Sequence, residues 1–166
     1  MRFCLIPDIC LPDIDAITPE FLQTRGITLL LLDLDNTLTA YSECYPTEKV
    51  LTWIAGCRAA GVDLFLVSNS RHGTRAKEYA QAAGIPFIRR AGKPHPRGLF
   101  EAMQKMNRRP EETAMAGDQI FTDGLAANRA GVLSILLRPI CMKAPHRRLR
   151  YLIEQPIRAL GREKIR

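Results

Sequence analysis

The chain has 166 residues, enough for one domain with its own core and no need of disulfides or a structural metal. Its 46% hydrophobic and 25% charged residues are ordinary for a globular protein and exclude a low-complexity or repeat architecture. The formal net charge of +7 sits at one end: residues 1–137 carry 15 basic and 15 acidic side chains, whereas residues 138–166 carry nine basic against two acidic.

No apolar run approaches the ~18 residues a membrane span needs. Prolines and acids interrupt every apolar stretch of the first 18 positions, so no signal or transit segment is predicted. The five cysteines (Cys4, Cys10, Cys44, Cys57, Cys141) show no C-x-x-C pair or ligand spacing, which favours reduced thiols over a zinc site. The expectation is a soluble, cytoplasmic protein with a basic C-terminal tail.

In chain order, Thr18-Pro19 reads as a helix cap with proline in the first turn, and Gly26 ends a short helix from about Pro19 to Arg25. Ile27 to Leu32 is a run of six consecutive apolar or β-branched residues, too short for a buried helix and without polar alternation, as expected of a central parallel strand covered on both faces. Thr47 and Glu48 cap a helix to about Ala60, Gly61 stops it, and VDLFLV is the next strand. The unit then recurs. A helix from about Gly73 to Ala82 leads to the strand IPFIRR, one from Pro96 to Met106 to TAMAGD, and one from Thr122 to Ala130 to VLSILL. Strands alternating with helices predict an α/β fold with a doubly wound parallel sheet in a three-layer αβα arrangement.

Such sheets bind ligands at the carboxyl ends of their strands, and the unusual polar residues fall there. Asp33 and Asp35 follow the first strand of this series, Ser68 and Asn69 the second, Lys93 the third, and Gly117-Asp118 the fourth, with Asp123 shortly after. Alternate residues of extended backbone project the same way, so Asp33 and Asp35 would crowd two carboxylates together. Like charges that close call for a shared cation or a proton, and carboxylates without histidine or thiolate suit a hard ion such as magnesium. A carboxylate nucleophile, a second acid and a fixed lysine are the parts that phosphoryl transfer requires. His72 and His95 read as polar loop residues, and Trp53 as a packing residue.

These segments, DLDNTL (33–38), Ser68-Asn69, Lys93-Pro94 and GDQIFTD (117–123), resemble in order the four motifs of the haloacid dehalogenase superfamily. The pattern is most similar to its subfamily IIIA group of YqeG-like proteins, from about Leu11 to Leu137. The resemblance implies that Asp33 attacks phosphorus to form an aspartyl-phosphate, and that Asp35 protonates the leaving alcohol and then activates water. It implies phosphate contacts from Ser68, Asn69 and Lys93. It also implies a magnesium ion held by Asp33, the backbone carbonyl of Asp35, Asp118 and, directly or through water, Asp123. Some similar proteins of mitochondria and plastids are phosphatidylglycerophosphate phosphatases.

Members of that superfamily that enclose small metabolites insert a cap domain after the first or the second motif. Only 32 residues lie between Asp35 and Ser68 and 24 between Ser68 and Lys93, so no cap domain is expected. The substrate phosphate then belongs to something large or surface-bound, such as a phospholipid head group, a protein or a nucleic acid, unless a partner subunit supplies the lid. Residues 1–137 are read as the catalytic domain, with 1–26 as a leader and short helix packed on it. Residues 138–166 are read as a basic tail able to contact an acidic membrane or nucleic acid, with Tyr151, Leu152, Ile157 and Leu160 towards a bilayer and Pro156 interrupting the helix. Two other readings compete: a phosphoaspartate switch, disfavoured by Asp35, and a binding protein acting through the tail.

Overall fold

A computed structural model describes residues 4–70, 74–161 and 163–164. In chain order its elements are β1 (Ile9–Leu11), α1 (Pro19–Gln23), β2 (Leu29–Leu32), α2 (Glu48–Ala59), β3 (Asp63–Ser68), α3 (Arg75–Ala83), β4 (Phe87–Arg89), α4 (Arg97–Met106), β5 (Thr113–Gly117), α5 (Leu125–Ala130), β6 (Leu133–Leu137), α6 (Pro145–Ala159) and β7 (Glu163–Lys164). His72, read as a polar loop residue, and Gly73, the expected start of the third helix, lie outside the described residues.

The four leucines of β2 are fully buried, as the unbroken run requires, because helices cover both faces of the sheet. Leu30 and Leu32 pack with Leu64, Leu66 and the apolar sides of α1, α2 and α3, among them Leu22, Ile54 and Tyr79. Leu29 and Leu31 face the other way, onto α4 and α5 through Leu99, Met103 and Ala127. Each leucine so buried contributes about 1.5–3 kcal/mol of apolar transfer. The helix ends follow their caps: Thr18 Oγ1 accepts from the Phe21 N–H at 3.1 Å and Thr47 Oγ1 from Val50 at 3.3 Å. Trp53 packs against this core and donates its indole N–H to Ile17 O at 2.8 Å.

The seven strands run in the order β4-β3-β2-β5-β6-β1-β7, all parallel. From β2 the chain winds outward through β3 to β4, then returns to the far side of β2 for β5 and β6. The order therefore reverses between β2 and β5, and that gap is where an open parallel sheet offers a crevice. Neither the interval from Asp35 to Ser68 nor that from Ser68 to Lys93 contains a cap domain among the described residues.

The two ends of the chain depart from the expectation. Residues 9–11, read as part of a leader, form β1 inside the sheet beside β6. The register is locked because Asp8 accepts from the Ser134 N–H at 3.0 Å and its hydroxyl at 2.9 Å. Where a basic tail was expected from residue 138, the chain forms the 15-residue α6, and residues 163–164 pair with β1. Pro156 lies inside α6 without ending it, since it is exposed on the solvent side and the carbonyl it leaves unpaired belongs to exposed Leu152. No helix among the described residues is long and apolar enough to cross a membrane.

Candidate active site

Sheet register brings the acids together before any side-chain chemistry is considered. Leu32 is level with Ala116 across the β2–β5 ladder, and the Asp33 N–H donates to Ala116 O at 2.9 Å. Asp33 and Gly117-Asp118 therefore leave adjacent strands at the same height. After Asp118 the chain makes one π-type turn, Ile120–Gly124, before α5 begins, three residues later than the sequence predicts. That turn swings Asp123 back over Gly117. A β-carbon on Gly117 would lie 2.3 Å from Asp123 Cγ, so glycine is required there by the carboxylate's close approach.

Oxygen atoms of Asp33, Asp118 and Asp123 lie within 4.8 Å of one another, and all three residues are buried. Burial, reinforced by the neighbouring acids and opposed by Lys93, raises Asp33 to about 7. Burial and the charges of Asp123 and Asp33 raise Asp118 to about 8. Lys93, itself buried, reaches Asp33 at 2.6 Å and Asp123 at 2.7 Å. Desolvation pulls its ammonium down, but the two carboxylates outweigh that and hold it above the usual lysine value. The Asn69 side chain fixes Lys93 by accepting from its N–H at 2.9 Å and donating to its C=O at 2.8 Å.

A pocket of about 190 Å³ opens over this cluster, lined by Asp33, Asp35, Tyr41, Asn69, Ser70, Lys93, Gln119, Thr122 and Asp123. Of the predicted residues Asp118, buried beneath the pocket beside Asp33 and Asp123, and Ser68 are not among them. Ser68 lies deeper in the fold. It is fully buried, and its hydroxyl oxygen accepts from the Ser70 N–H at 3.1 Å. Asp35 lines the pocket but its side chain stands apart from the three-acid group, ion-paired with Arg75. His95 lies in a different, larger hollow of about 700 Å³ between β4 and α4, lined also by Arg89, Arg90 and Arg97. That hollow contains none of the three clustered aspartates, whereas in the smaller pocket carboxylates and Lys93 converge.

Four participants, Arg75, Arg150, Glu154 and Arg158, were not assigned to the site from the sequence. Arg75 bridges Asp35 and the flap of residues 38–46, donating to Ala40 O and Glu43 O at 2.8 Å each. Arg150 of α6 meets Asp118 Oδ2 at 3.3 Å. Arg158, buried, donates to Asp118 O and to Leu137 O at 3.0 Å, and pairs with buried Glu154, which in turn accepts from the Ile120 N–H at 3.1 Å. The four-residue spacing of Arg150, Glu154 and Arg158, one face of a helix, is the signal that could have found them.

The donor set fits a hard divalent cation. Three buried carboxylates converge without histidine or thiolate, and Asp118 Oδ1 is buried without a hydrogen-bond partner among the described residues.

Fold and site together define a class, an α/β enzyme in which charged groups from strand ends meet at a topological switch point. The chain belongs to the haloacid dehalogenase-like hydrolase family, whose model matches residues 9–131. It is 34% identical over 135 residues to "Probable phosphatase YqeG" of Bacillus subtilis, across 81% of this chain and 78% of that one. It is 30% identical over 148 residues to "Phosphatidylglycerophosphate phosphatase 1, chloroplastic/mitochondrial" of Arabidopsis thaliana, covering 84% of this chain but only 42% of that longer one. The fold is similar to that of 3-deoxy-D-manno-octulosonate 8-phosphate phosphatase from Moraxella catarrhalis, solved with magnesium and phosphate ions. That match has a TM-score of 0.59 at 16% identity and covers 88% of this chain and 80% of that one. By family and relatives the chain is a phosphatase-type enzyme.

Proposed function

We propose that the protein is a magnesium-dependent phosphomonoesterase working through an aspartyl-phosphate on Asp33, with a phosphorylated lipid head group such as that of phosphatidylglycerophosphate as substrate. The observation that carries this reading is the buried group of Asp33, Asp118 and Asp123, with Lys93 2.6 Å from Asp33, at the floor of an uncapped pocket. Relatives at about 30% identity named for that lipid phosphate support the substrate class.

In this reading a carboxylate oxygen of Asp33 forms a bond to phosphorus as the ester P–O bond breaks, and Asp35 gives its proton to the departing alkoxide. Asp35 then takes a proton from water, whose oxygen attacks the same phosphorus and releases Asp33 and inorganic phosphate. Lys93 favours the ionised form of Asp33 against its burial and faces the charge that develops on the phosphoryl oxygens. Asn69 acts by holding Lys93 in place, and Ser68 by shaping the loop through Ser70. Asp33, Asp118 and Asp123, with the Asp35 carbonyl, would hold magnesium. Bound there, the ion would offset the crowded acids and polarise the phosphate. The cytoplasm is the compartment that fits this chemistry and its reduced cysteines.

The test is inorganic phosphate release from phosphatidylglycerophosphate in mixed micelles, beside phosphopeptides, nucleotides and sugar phosphates. Each is run with magnesium, with EDTA and with Asp33→Asn. Release from the lipid that falls by about 10³-fold or more in both controls is expected. Equal release from wild type and Asp33→Asn would remove the nucleophile from the scheme, and preference for a soluble substrate would remove the lipid.

A further inference from the structure

α6 has two faces of opposite character, and only one is used by the site. Arg150, Glu154 and Arg158 turn inward, four residues apart, to hold Asp118 and Ile120. On the outward side Leu149, Leu152, Ile153 and Leu160 are 60%, 65%, 56% and 63% exposed. Their spacing is that of one helical stripe, and exposed Pro156 continues it. Large aliphatic side chains exposed that fully and that close together mark an interaction surface.

Charge decides what the surface fits. Lys143 and Arg148 are exposed beside the stripe, and Arg147 lies over the Tyr41 ring at 3.8 Å, at the mouth of the pocket. The one acid of α6, Glu154, is buried in ion pairs, so the helix shows solvent cations and hydrocarbon without a carboxylate. Two copies packed stripe to stripe would bring these cations together with nothing on either helix to offset them. An anionic bilayer satisfies both features at once, taking the leucines into the acyl boundary and the cations at the head groups.

We propose that α6 is an interfacial helix that docks the protein, stripe down, on an anionic lipid bilayer. The inward face is tied to the loop carrying Asp118, so the docked surface and the acid cluster belong to one rigid unit. Delivery of a lipid phosphate to the pocket rests on the function proposed above, whereas the docking itself does not. The docking stripe differs in part from the one the sequence offered: Tyr151 and Ile157 are half-buried, and Leu149 and Ile153 take their place.

The experiment is co-sedimentation of the full chain with vesicles of phosphatidylcholine alone and of equal parts phosphatidylcholine and phosphatidylglycerol. Wild type is compared with the double variant Leu152→Glu, Ile153→Glu. Binding to anionic vesicles at least tenfold tighter than to neutral ones, reduced tenfold or more in the variant, is expected. Hydrolysis of p-nitrophenyl phosphate and the thermal midpoint should be unchanged, since both substitutions are on exposed positions outside the pocket. Wild type that ignores anionic vesicles, or a variant that binds them equally, overturns the proposal. So does a wild-type dimer that the variant converts to monomer without any vesicle binding, because the stripe is then a self-interface. Vesicle binding that persists while every phosphate substrate is refused upholds the docking and overturns the phosphatase reading alone.

Discussion

Residues 33–123 and residues 145–159 both reach the acid cluster, but they are held there by different physics. The first group hangs from strand ends, where the β2–β5 register sets Asp33 beside Gly117 without help from any side chain. The second is carried by a helix whose position depends on three ionic side chains reaching inward across tens of residues of sequence. Backbone ladders survive the loss of one residue, whereas a buried ion pair fails as a unit when one partner is removed.

Arg158→Ala puts that difference to its hardest test. It removes the nearer cation from buried Glu154, leaving it Arg150 at 3.9 Å and the Ile120 N–H, and removes the donor to two carbonyls, those of Asp118 and Leu137. A loss of about 3–5 kcal/mol is expected, seen as a drop in thermal midpoint on the order of 10 °C. Arg148→Ala, on the exposed face, should change stability by no more than about 0.5 kcal/mol. Equal, small effects for the two would return α6 to the status of a solvated tail.

The acid cluster should show its own signature in pH and metal dependence. Asp33 and Asp118 are raised to about 7 and about 8, chiefly by burial, so the folded protein keeps protons that the unfolded chain would release. Their contribution to stability is complete below pH ~4 and is lost as pH rises through about 7 to 8. Magnesium should therefore stabilise most at pH 8, by about 5–10 °C at a hundredfold excess over its dissociation constant, and least at pH 5. Melting curves at the two pH values with and without the ion measure this. In Asp118→Asn both the magnesium shift and its pH dependence should shrink. A shift as large at pH 5 as at pH 8 would place the ion elsewhere.

Much of the first region could be read from the sequence, because its signals are local. An apolar run between helices, followed by paired aspartates, is both a strand and the site at its end, and the same holds for TAMAGD. The second region was opaque for a physical reason. Pro156 advertises a break, and the helix that nevertheless runs through it is held in place by partners from β6 and from the turn between β5 and α5. β1 is similarly hidden: three residues are too few to show a period, and the strand exists because Ser134, far along the chain, pairs with Asp8. The π-type turn at residues 120–124 escaped for a related reason, since the pattern there reads as ordinary helix.

Gly117→Ala sharpens the comparison inside the strand-borne half. The added β-carbon would overlap Asp123 at 2.3–2.6 Å, and β5 lies between two paired strands and has little room to shift. Asp123 must then move, taking with it its pairing to Lys93. A displacement on the ångström scale is expected to lower turnover about 10²-fold, with overpacking costing about 1–3 kcal/mol of stability. The matched control is Gly56→Ala in α2, where the nearest atom is Pro19 Cγ at 3.9 Å and an alanine should stabilise by up to about 1 kcal/mol.

Arg75 carries the smallest expected effect and separates two jobs that one guanidinium performs. It pairs with Asp35 and also donates to the carbonyls of Ala40 and Glu43, so the acid and the flap are fixed by the same group. Arg75→Ala frees both, and turnover of p-nitrophenyl phosphate should fall about tenfold while stability changes by no more than about 1 kcal/mol. Arg75→Lys keeps a charge for Asp35 but lacks the forked donors needed to reach two carbonyls as well. If turnover depends on the charge beside Asp35, lysine restores most of it while proteolysis within residues 40–45 remains faster than in wild type. If it depends on a closed flap, lysine restores neither, because the flap is released in both variants. A rise in turnover with alanine would reverse the assignment: Arg75 would then be restraining Asp35 from its proton transfer, and the ion pair would have to open in each catalytic cycle.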